Sequence, residues 1–383
     1  MPLPAQSVPV INGVPVGAGQ PIGITTLPSA GSLAGRRRTI NGDMQIDQAN
    51  VSAAVAVNAA GPIFSVDKWI GNGTPAAGIF NLQQRNSATV DAINFKNYLH
   101  VSVTTPDAAP AAASNYSLTT KVEFNLLEDL RVYIASGIGN PFIVGFWVRT
   151  SITGNFGGSI RNAGNNQNYP FLFNVPVANV FQFVGIPIPA TAVGSFTTGL
   201  QITFDFGSGV NSLGPANAWA GGAGITGATG ETSLMAAANT LDLTGVQLEP
   251  GNISTTYEQV PFALELMKCQ REFYKTFLQG SVPAQNAGVN TGEIMFSALK
   301  AGATAGNFSE FSWPVIMRAA PAVTQFNPSA ANASVRDETA AADCGASVNQ
   351  NINERGIVLN VTGNAATAVG NILGVHLTAD ARL

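Results

Sequence analysis

Apolar and polar residues alternate in many short runs along this chain, with clusters of Gly, Pro, Asn and Ser between them, and a helical period appears once. Period two marks strands with one covered face, whereas a period near 3.6 marks a helix lying on a core. The runs at 51–57, 121–127, 131–136, 142–150, 171–175, 181–188, 200–206 and 241–248 therefore predict strands. Those at 121–127 and 142–150 are long and aromatic, as strands crossing a sandwich core are. The Asn- and Gly-rich stretches at 162–168 and 219–232 read as loops.

The helical period follows the last of these strands. Leu241, Leu243, Val246 and Leu248 form its apolar face, Pro250 and Gly251 stop it, and Pro261 presets a first helical turn. Phe262, Leu266, Cys269, Phe273 and Thr276 then recur at steps of four, three, four and three, which predicts a helix over 262–276. Glu265, Lys268 and Glu272 share its other face, the one expected to meet solvent. After a loop at 280–292, runs at 294–299, 309–317, 322–328, 356–363 and 372–380 predict further strands. In the last of them Val375, Leu377 and Ala379 fall on one face and His376, Thr378 and Asp380 on the other.

The fold class is accordingly all-β: an extended N-terminal arm at 1–35, a jelly-roll-like β-sandwich at 36–255, a connecting amphipathic helix at 256–279 and a smaller C-terminal β-sandwich at 280–383. Pro2, Pro4, Pro9, Pro15, Pro21 and Pro28 keep the arm out of helix. Its Val8, Val10, Ile11, Val14, Val16, Ile22 and Ile24 need a covering surface, supplied either by a partner protein or by the arm's own domain.

Composition narrows the classes. Only 10% of the 383 residues are charged, against roughly a quarter in an average soluble domain, while 45% are hydrophobic and 41 are Gly. The surface is then mostly neutral and polar, suited to packing against copies of itself. A net charge of -4 with a single basic cluster, Arg36, Arg37 and Arg38, argues against nucleic acid as a partner, because phosphate neutralisation needs many cations on one face. No apolar run is long enough to span a membrane, and the N-terminal stretch lacks the basic start and continuous apolar core of a secretory signal. Two cysteines, Cys269 and Cys344, make no disulfide scaffold; they could bridge only if their α-carbons approach within about 7 Å.

Candidate chemistry is sparse. His100 and His376 stand far in sequence from any nucleophile motif, and GxSxG, HExxH, P-loop and paired CxxC patterns are absent. Glycoside hydrolysis needs two carboxylates across a cleft, for which Asp43, Asp47, Glu123, Asp205 and Glu249 are the candidates, none with a recognisable partner. Asp43 and Glu249 could meet if the first and last sandwich strands are neighbours, and are weak candidates for Ca²⁺; no cofactor is expected. The aromatic residues suited to stacking on a sugar are Trp69, Trp147, Tyr169 and Trp219. Trp147 reads as core. Tyr169 and Trp219, beside loops and with Asn165, Asn166 and Gln167 nearby, are the candidate glycan ligands.

One set of motifs resembles a known family. QLEPG at 247–251 is followed by a helix reading ELMKCQREFY at 265–274; NGDMQIDQ lies at 41–48, GFWVRTSITGNF at 145–156, FSWPVIMRAAPAVTQFNP at 311–328 and VHLTADARL at 375–383. Together these resemble bacteriophage tail and fibre proteins. The resemblance implies a structural virion protein, non-enzymatic, with a sandwich like that of carbohydrate-binding modules. It also implies a fibre-like appendage, homotrimeric, docked through residues 1–35 onto another virion protein, assembled in the host cytoplasm and in contact with host glycans. The alternatives are a capsid or neck decoration, a polysaccharide depolymerase, and a lectin free of any particle.

Overall fold

A computed structural model describes residues 10–11, 14–15 and 35–382, apart from 59–61, 75–76, 133–138, 163, 165, 192–195, 197–198, 223 and 346. The proposed arm thus lies almost wholly outside the described residues, as does most of the expected strand at 131–136; a two-residue ladder joins Val10–Ile11 to Val14–Pro15.

The larger unit is a jelly-roll-like sandwich of two antiparallel sheets. In chain order its strands are β1 (Val55–Val57), β2 (Ile63–Phe64), β3 (Trp69–Gly73), β4 (Ile79–Arg85), β5 (Tyr98–Thr105), β6 (Tyr116–Val122), β7 (Phe142–Thr150), β8 (Gly154–Asn162), β9 (Gln167–Val175), β10 (Gln182–Ile188), β11 (Leu200–Asp205), β12 (Ala220–Gly221) and β13 (Thr240–Pro250). A six-stranded sheet runs β10-β7-β13-β5-β4-β1 and a seven-stranded one β12-β9-β8-β11-β6-β3-β2. The chain crosses between them repeatedly. Alternation sets which side chains enter the core: Phe142, Val144, Phe146 and Val148 of β7 point inward, and Phe146 meets Phe204 and Phe173 of the facing sheet edge-on at 5.0 and 5.2 Å. Each such fully buried side chain contributes about 1.5–3 kcal/mol by leaving water.

Two departures from the expected strands have local causes. At 121–127 only the first two residues belong to a strand, and Phe124–Leu126 forms a 3₁₀ turn. Strands β3, β4, β5 and β8 show no continuous apolar run because polar residues and glycine interrupt them, among them Asn72, Asn81, Gln83, His100, Ser102, Asn155, Ser159 and Arg161.

The helix, α2 (Phe262–Gln270), follows a short α1 (Ala88–Asp91) and is shorter than expected. Its polarity is also reversed in part. Cys269 and Leu266 do pack inward, against Ile40 and Ile46. Yet Glu265 is only 1% exposed and Glu272 is buried, whereas Phe262, Leu264 and Met267 are half exposed. The expectation that Glu265 and Glu272 meet solvent is therefore wrong, and the reason is ionic. Glu265 accepts Arg37 at 2.5 Å and the backbone N–H of Asn41, and Glu272 accepts the ammonium of Lys68.

Residues 38–42 lie along β13, where β5 has left it, through Arg38 N–H to the Leu248 carbonyl (2.9 Å) and Val246 N–H to the Gly42 carbonyl (2.9 Å). The NGDM motif thereby extends the six-stranded sheet beyond β5. Asn41 then closes the turn: its amide donates to the carbonyls of Ile46 and Asp67, and Trp69 donates its indole N–H to the Asn41 carbonyl.

After α2 the chain enters the smaller unit directly. Its strands are β14 (Phe273–Lys275), β15 (Ile294–Ser297), β16 (Asn307–Ser312), β17 (Ala322–Phe326), β18 (Arg336–Asp337), β19 (Ala342–Asp343), β20 (Ser347–Gln350), β21 (Gly356–Val361) and β22 (Ile372–Asp380). β22 is the hub, pairing with β14, β15, β17 and β18, while β16-β21-β20 form a second sheet. Both faces of β22 are buried, the one carrying Val375, Leu377 and Ala379 as well as the one carrying His376 and Thr378. His376 is buried between the Thr276 hydroxyl and the Val289 carbonyl and stacks on Phe277.

Cys269 and Cys344 are both free and buried, in separate clusters, and burial pushes each thiol up. In an Ellman titration neither thiol is expected to react in the native protein and both to react in denaturant. Breaking the Arg37–Glu265 pair with Arg37→Ala leaves a buried carboxylate without its guanidinium, and should lower stability by about 3–5 kcal/mol in urea unfolding.

Candidate functional site

The six-stranded sheet has one face in the core, and its other face carries the residues that alternate with the core set. On β7 these are Gly145, Trp147 and Arg149; on β10, Phe183 stands opposite Trp147, with ring centroids 5.6 Å apart. Two segments rise over this face. The turn after α1 brings Ile93, Asn94, Phe95 and Lys96, and the strap between β13 and α2 brings Ser254, Thr255, Thr256, Tyr257 and Gln259. Between them and the Trp147–Phe183 pair lies an open cleft of about 620 Å³.

Its floor is glycine. Gly245 sits in the irregularity of β13 between Thr244 and Gln247 with φ of +62°, and a Cβ there would lie 2.5 Å from the Phe95 ring. Phe95 therefore rests on bare backbone and meets Tyr257 edge-on at 5.1 Å. At Gly145 a Cβ would lie 2.4 Å from the Ser254 hydroxyl, so the strap also needs a bare strand beneath it.

The strap is fastened by Glu249, which accepts Thr255 N–H at 2.7 Å and Thr255 O–H at 2.6 Å, with Arg36 at 3.8 Å. Gln247 adds a bond from Glu258 N–H at 2.8 Å. At the cleft's inner end Asp43 is 3% exposed; Oδ2 accepts the amide of Gln45, and Oδ1 is buried without a donor. Burial raises its pKa, opposed by the Gln45 bond and the nearby Arg37 charge. The lining thus combines four aromatic rings, several amides and hydroxyls, one cation (Lys96) and one carboxylate. It can stack flat apolar faces and donate to or accept from hydroxyls, and it holds a single acid.

This is not the place the sequence indicated. Tyr169 is buried on β9, not exposed beside a loop; its ring lies 5.3 Å from Trp219, which packs on Phe196 at 5.6 Å and donates its indole N–H to Pro189 at 3.0 Å. The two rings cover each other because the loop folds back over the sheet end. Asn166 and Gln167 bond through their backbone N–H groups to Asn162, and Asn165 lies outside the described residues. Trp147, read as core, is on the cleft wall instead. The signal was present: if Phe142, Val144, Phe146 and Val148 face inward, Trp147 cannot.

The remaining carboxylates pin turns or form ion pairs. Asp47 caps Asn50 and Ser52, Asp205 accepts Gly207, Ser208 and Thr226, and Glu123 pairs with Arg271 at 2.9 Å. Asp43 and Glu249 do lie in neighbouring segments, but Glu249 is taken by Thr255 and Arg36 and no bond joins it to Asp43. His100 is held by Asp242 at 2.6 Å, beside Arg149. Among the described residues no three His, Cys, Asp or Glu side chains gather in a form that could hold a metal, and no helix is long and apolar enough to cross a membrane.

No protein-family profile and no curated protein matches the chain. Solved structures align with part of it. The enzymatically active domain of bacteriophage CBA120 tailspike protein 4 is 14% identical over 56% of this chain, which spans 22% of that protein, with a TM-score of 0.29. TmCBM61, solved with β-1,4-galactotriose, is 11% identical over 48% of this chain and 88% of its own, with a TM-score of 0.25. The family 11 carbohydrate-binding module from Clostridium thermocellum, in complex with a mixed-linked tetrasaccharide, is 8% identical over 52% of this chain and 100% of its own, with a TM-score of 0.26.

Gly245→Ala tests the cleft floor. A side chain at this positive φ strains the backbone and displaces Phe95, so a loss of about 1–3 kcal/mol is expected in chemical denaturation.

Proposed function

We propose that this chain is a non-catalytic, carbohydrate-contacting virion protein of the phage fibre type, and that it takes a neutral glycan in the cleft over the six-stranded sheet. The observation that carries the glycan reading is the cleft itself: the Trp147–Phe183 wall faces a lining of amides and hydroxyls, with Asp43 at its inner end. Pyranose rings present flat C–H faces and hydroxyl edges, and these two kinds of surface are what such a cleft complements. With one cation and one carboxylate in the lining, a neutral sugar fits better than a polyanionic one. A single carboxylate also supports binding without hydrolysis, since both glycosidase mechanisms use two.

The virion part of the proposal rests on the motif set at 41–48, 145–156, 247–274, 311–328 and 375–383 and on the low charge of the chain. In this reading residues 1–35 dock onto another virion protein, the chain assembles as a homotrimer, and neither nucleic acid nor membrane is a partner.

A glycan array followed by calorimetry tests the binding site. Trp147→Ala is expected to weaken the best ligand at least tenfold, about 1.4 kcal/mol or more, with little change in melting temperature because Trp147 is outside the main core. Asp43→Ala should weaken it as well, by removing the one carboxylate of the lining. Undiminished binding by Trp147→Ala would remove the cleft as the site, and release of reducing ends from a bound polysaccharide would replace binding with hydrolysis.

A further inference from the structure

A second group of unpaired carboxylates lies in the C-terminal unit, far along the chain from the cleft and serving no part of it. β22 pairs with β15 on one side, Met295 opposite Gly374, and with β18 on the other, Arg336 opposite the same Gly374. Residues two apart share a face, so Glu293, before β15, and Glu338, after β18, project onto the face of Gly374 from opposite sides. Gly374 leaves the space between them: a Cβ there would lie 2.0 Å from Glu293 Oε2 and 3.4 Å from Glu338 Cγ. Glu293 is 8% exposed, and neither of its oxygens has a donor. Glu338 Oε1 is also buried without one, and Oε2 accepts only the Asn290 amide at 3.3 Å.

The neighbouring charges are engaged elsewhere. Arg336 pairs with Asp343 at 2.9 Å, Asp337 on the opposite face accepts Thr367 and Asn371, and His376 is held by Thr276 and Val289. The Glu293 carboxylate over Gly374 and the Glu338 side chain beside it thus present three oxygens with no donor. A single shared proton can serve two of them at most. A hard divalent cation can serve all three.

We propose that Glu293 and Glu338, converging over Gly374, form a Ca²⁺ site that staples β15 to β18 across β22, with Asn290 at its edge and water completing the coordination. Met295 and Ile372 on the same face are exposed, so the buried oxygens lie close beneath the surface. Two side chains supply few ligands, which places the affinity in the range of about 10⁻⁴–10⁻³ M typical of weak extracellular sites.

Proton linkage gives the test its second axis. Burial, then repulsion from Glu338, pushes Glu293 from its ordinary 4.5 up to about 7. The folded state then keeps a proton that the unfolded state has released, so this group's contribution to stability falls as pH rises from about 4.5 to 7. Calcium binds the deprotonated form and should restore that loss at pH 8 while doing little at pH 5.

Thermal melts and calorimetry of the full chain with CaCl₂, MgCl₂ or EDTA at both pH values decide the matter. The expected result is a saturable rise in melting temperature with CaCl₂ at pH 8, a smaller one with MgCl₂, and at least tenfold weaker Ca²⁺ binding in Glu293→Gln. Glu338→Gln, at a less buried position, should behave alike and serves if the first variant does not fold. No Ca²⁺ response at pH 8, or one that both glutamine variants retain, overturns the site and leaves a proton as the partner of Glu293.

Discussion

The carboxylate of Glu265 is withdrawn from water on a helix whose apolar residues Phe262, Leu264 and Met267 remain half exposed, and much of the molecule is arranged around satisfying it. Removing an isolated carboxylate from water costs several kcal/mol, so it must find compensation on the spot. The compensation comes from more than 220 residues earlier in the chain: the guanidinium of Arg37 and the backbone N–H of Asn41. Burial opposes the charge on Arg37, yet Tyr257, Glu265 and Asp43 around it outweigh that and hold its pKa up. Arg37 also donates to the Tyr257 hydroxyl, and its guanidinium lies 5.1 Å from that ring's centroid. One ion pair therefore locates the NGDM segment, the strap and the helix relative to one another. Asp43 and Tyr257 reach the cleft as a consequence.

This coupling explains which parts of the structure were legible in the sequence. Alternation in 142–150, 181–188 and 200–206 identified real strands because one face of each is covered by the opposite sheet, a relation that period two encodes directly. The helix failed differently. Its apolar stripe correctly included Leu266 and Cys269, but the charged stripe was assigned to water because the partners of Glu265 and Glu272, Arg37 and Lys68, come from the beginning of the chain. Local periodicity carries no information about such a partner. Helix length failed for a related reason: pairing of Phe273 with Asp380 makes 273–275 a strand, and that contact spans the whole C-terminal unit.

The aromatic candidates were exchanged by the same kind of blindness. A ring next to an Asn- and Gly-rich loop was expected to be open, yet Trp219 folds back onto Tyr169 and Phe196. A ring within an apolar run was expected to be core, yet Trp147 occupies an outward position of β7. Parity within the strand was the better guide, since it states which face a residue occupies whatever its neighbours in sequence. Parity does not reveal whether that outer face is covered. Here Phe95 and Tyr257 cover it in part, brought by a turn and a strap whose positions depend on Gly245 and on the Arg37 network.

Charge distribution ties the fold to the proposed role. Only 10% of the residues are charged, and Arg37, Asp67, Lys68, Asp242, Glu249, Glu265 and Glu272 are among those that are buried. Arg37 and Glu265, Lys68 and Glu272, Arg271 and Glu123 all join residues near the sandwich to the helix and its end, and Arg382 lies over Phe64 and Phe273 at 3.8 and 4.5 Å. Ion pairs held in such positions are less screened by salt than exposed ones and depend more on geometry, which favours one relative placement of the elements they join. What remains for the surface is largely neutral: amides, hydroxyls and glycine. A neutral surface has little long-range attraction for polyanions, so recognition falls to short-range shape and hydrogen bonding. The aromatic and amide lining of the cleft is suited to that regime, and the neutral sugar proposed as its ligand presents C–H faces and hydroxyls that match it.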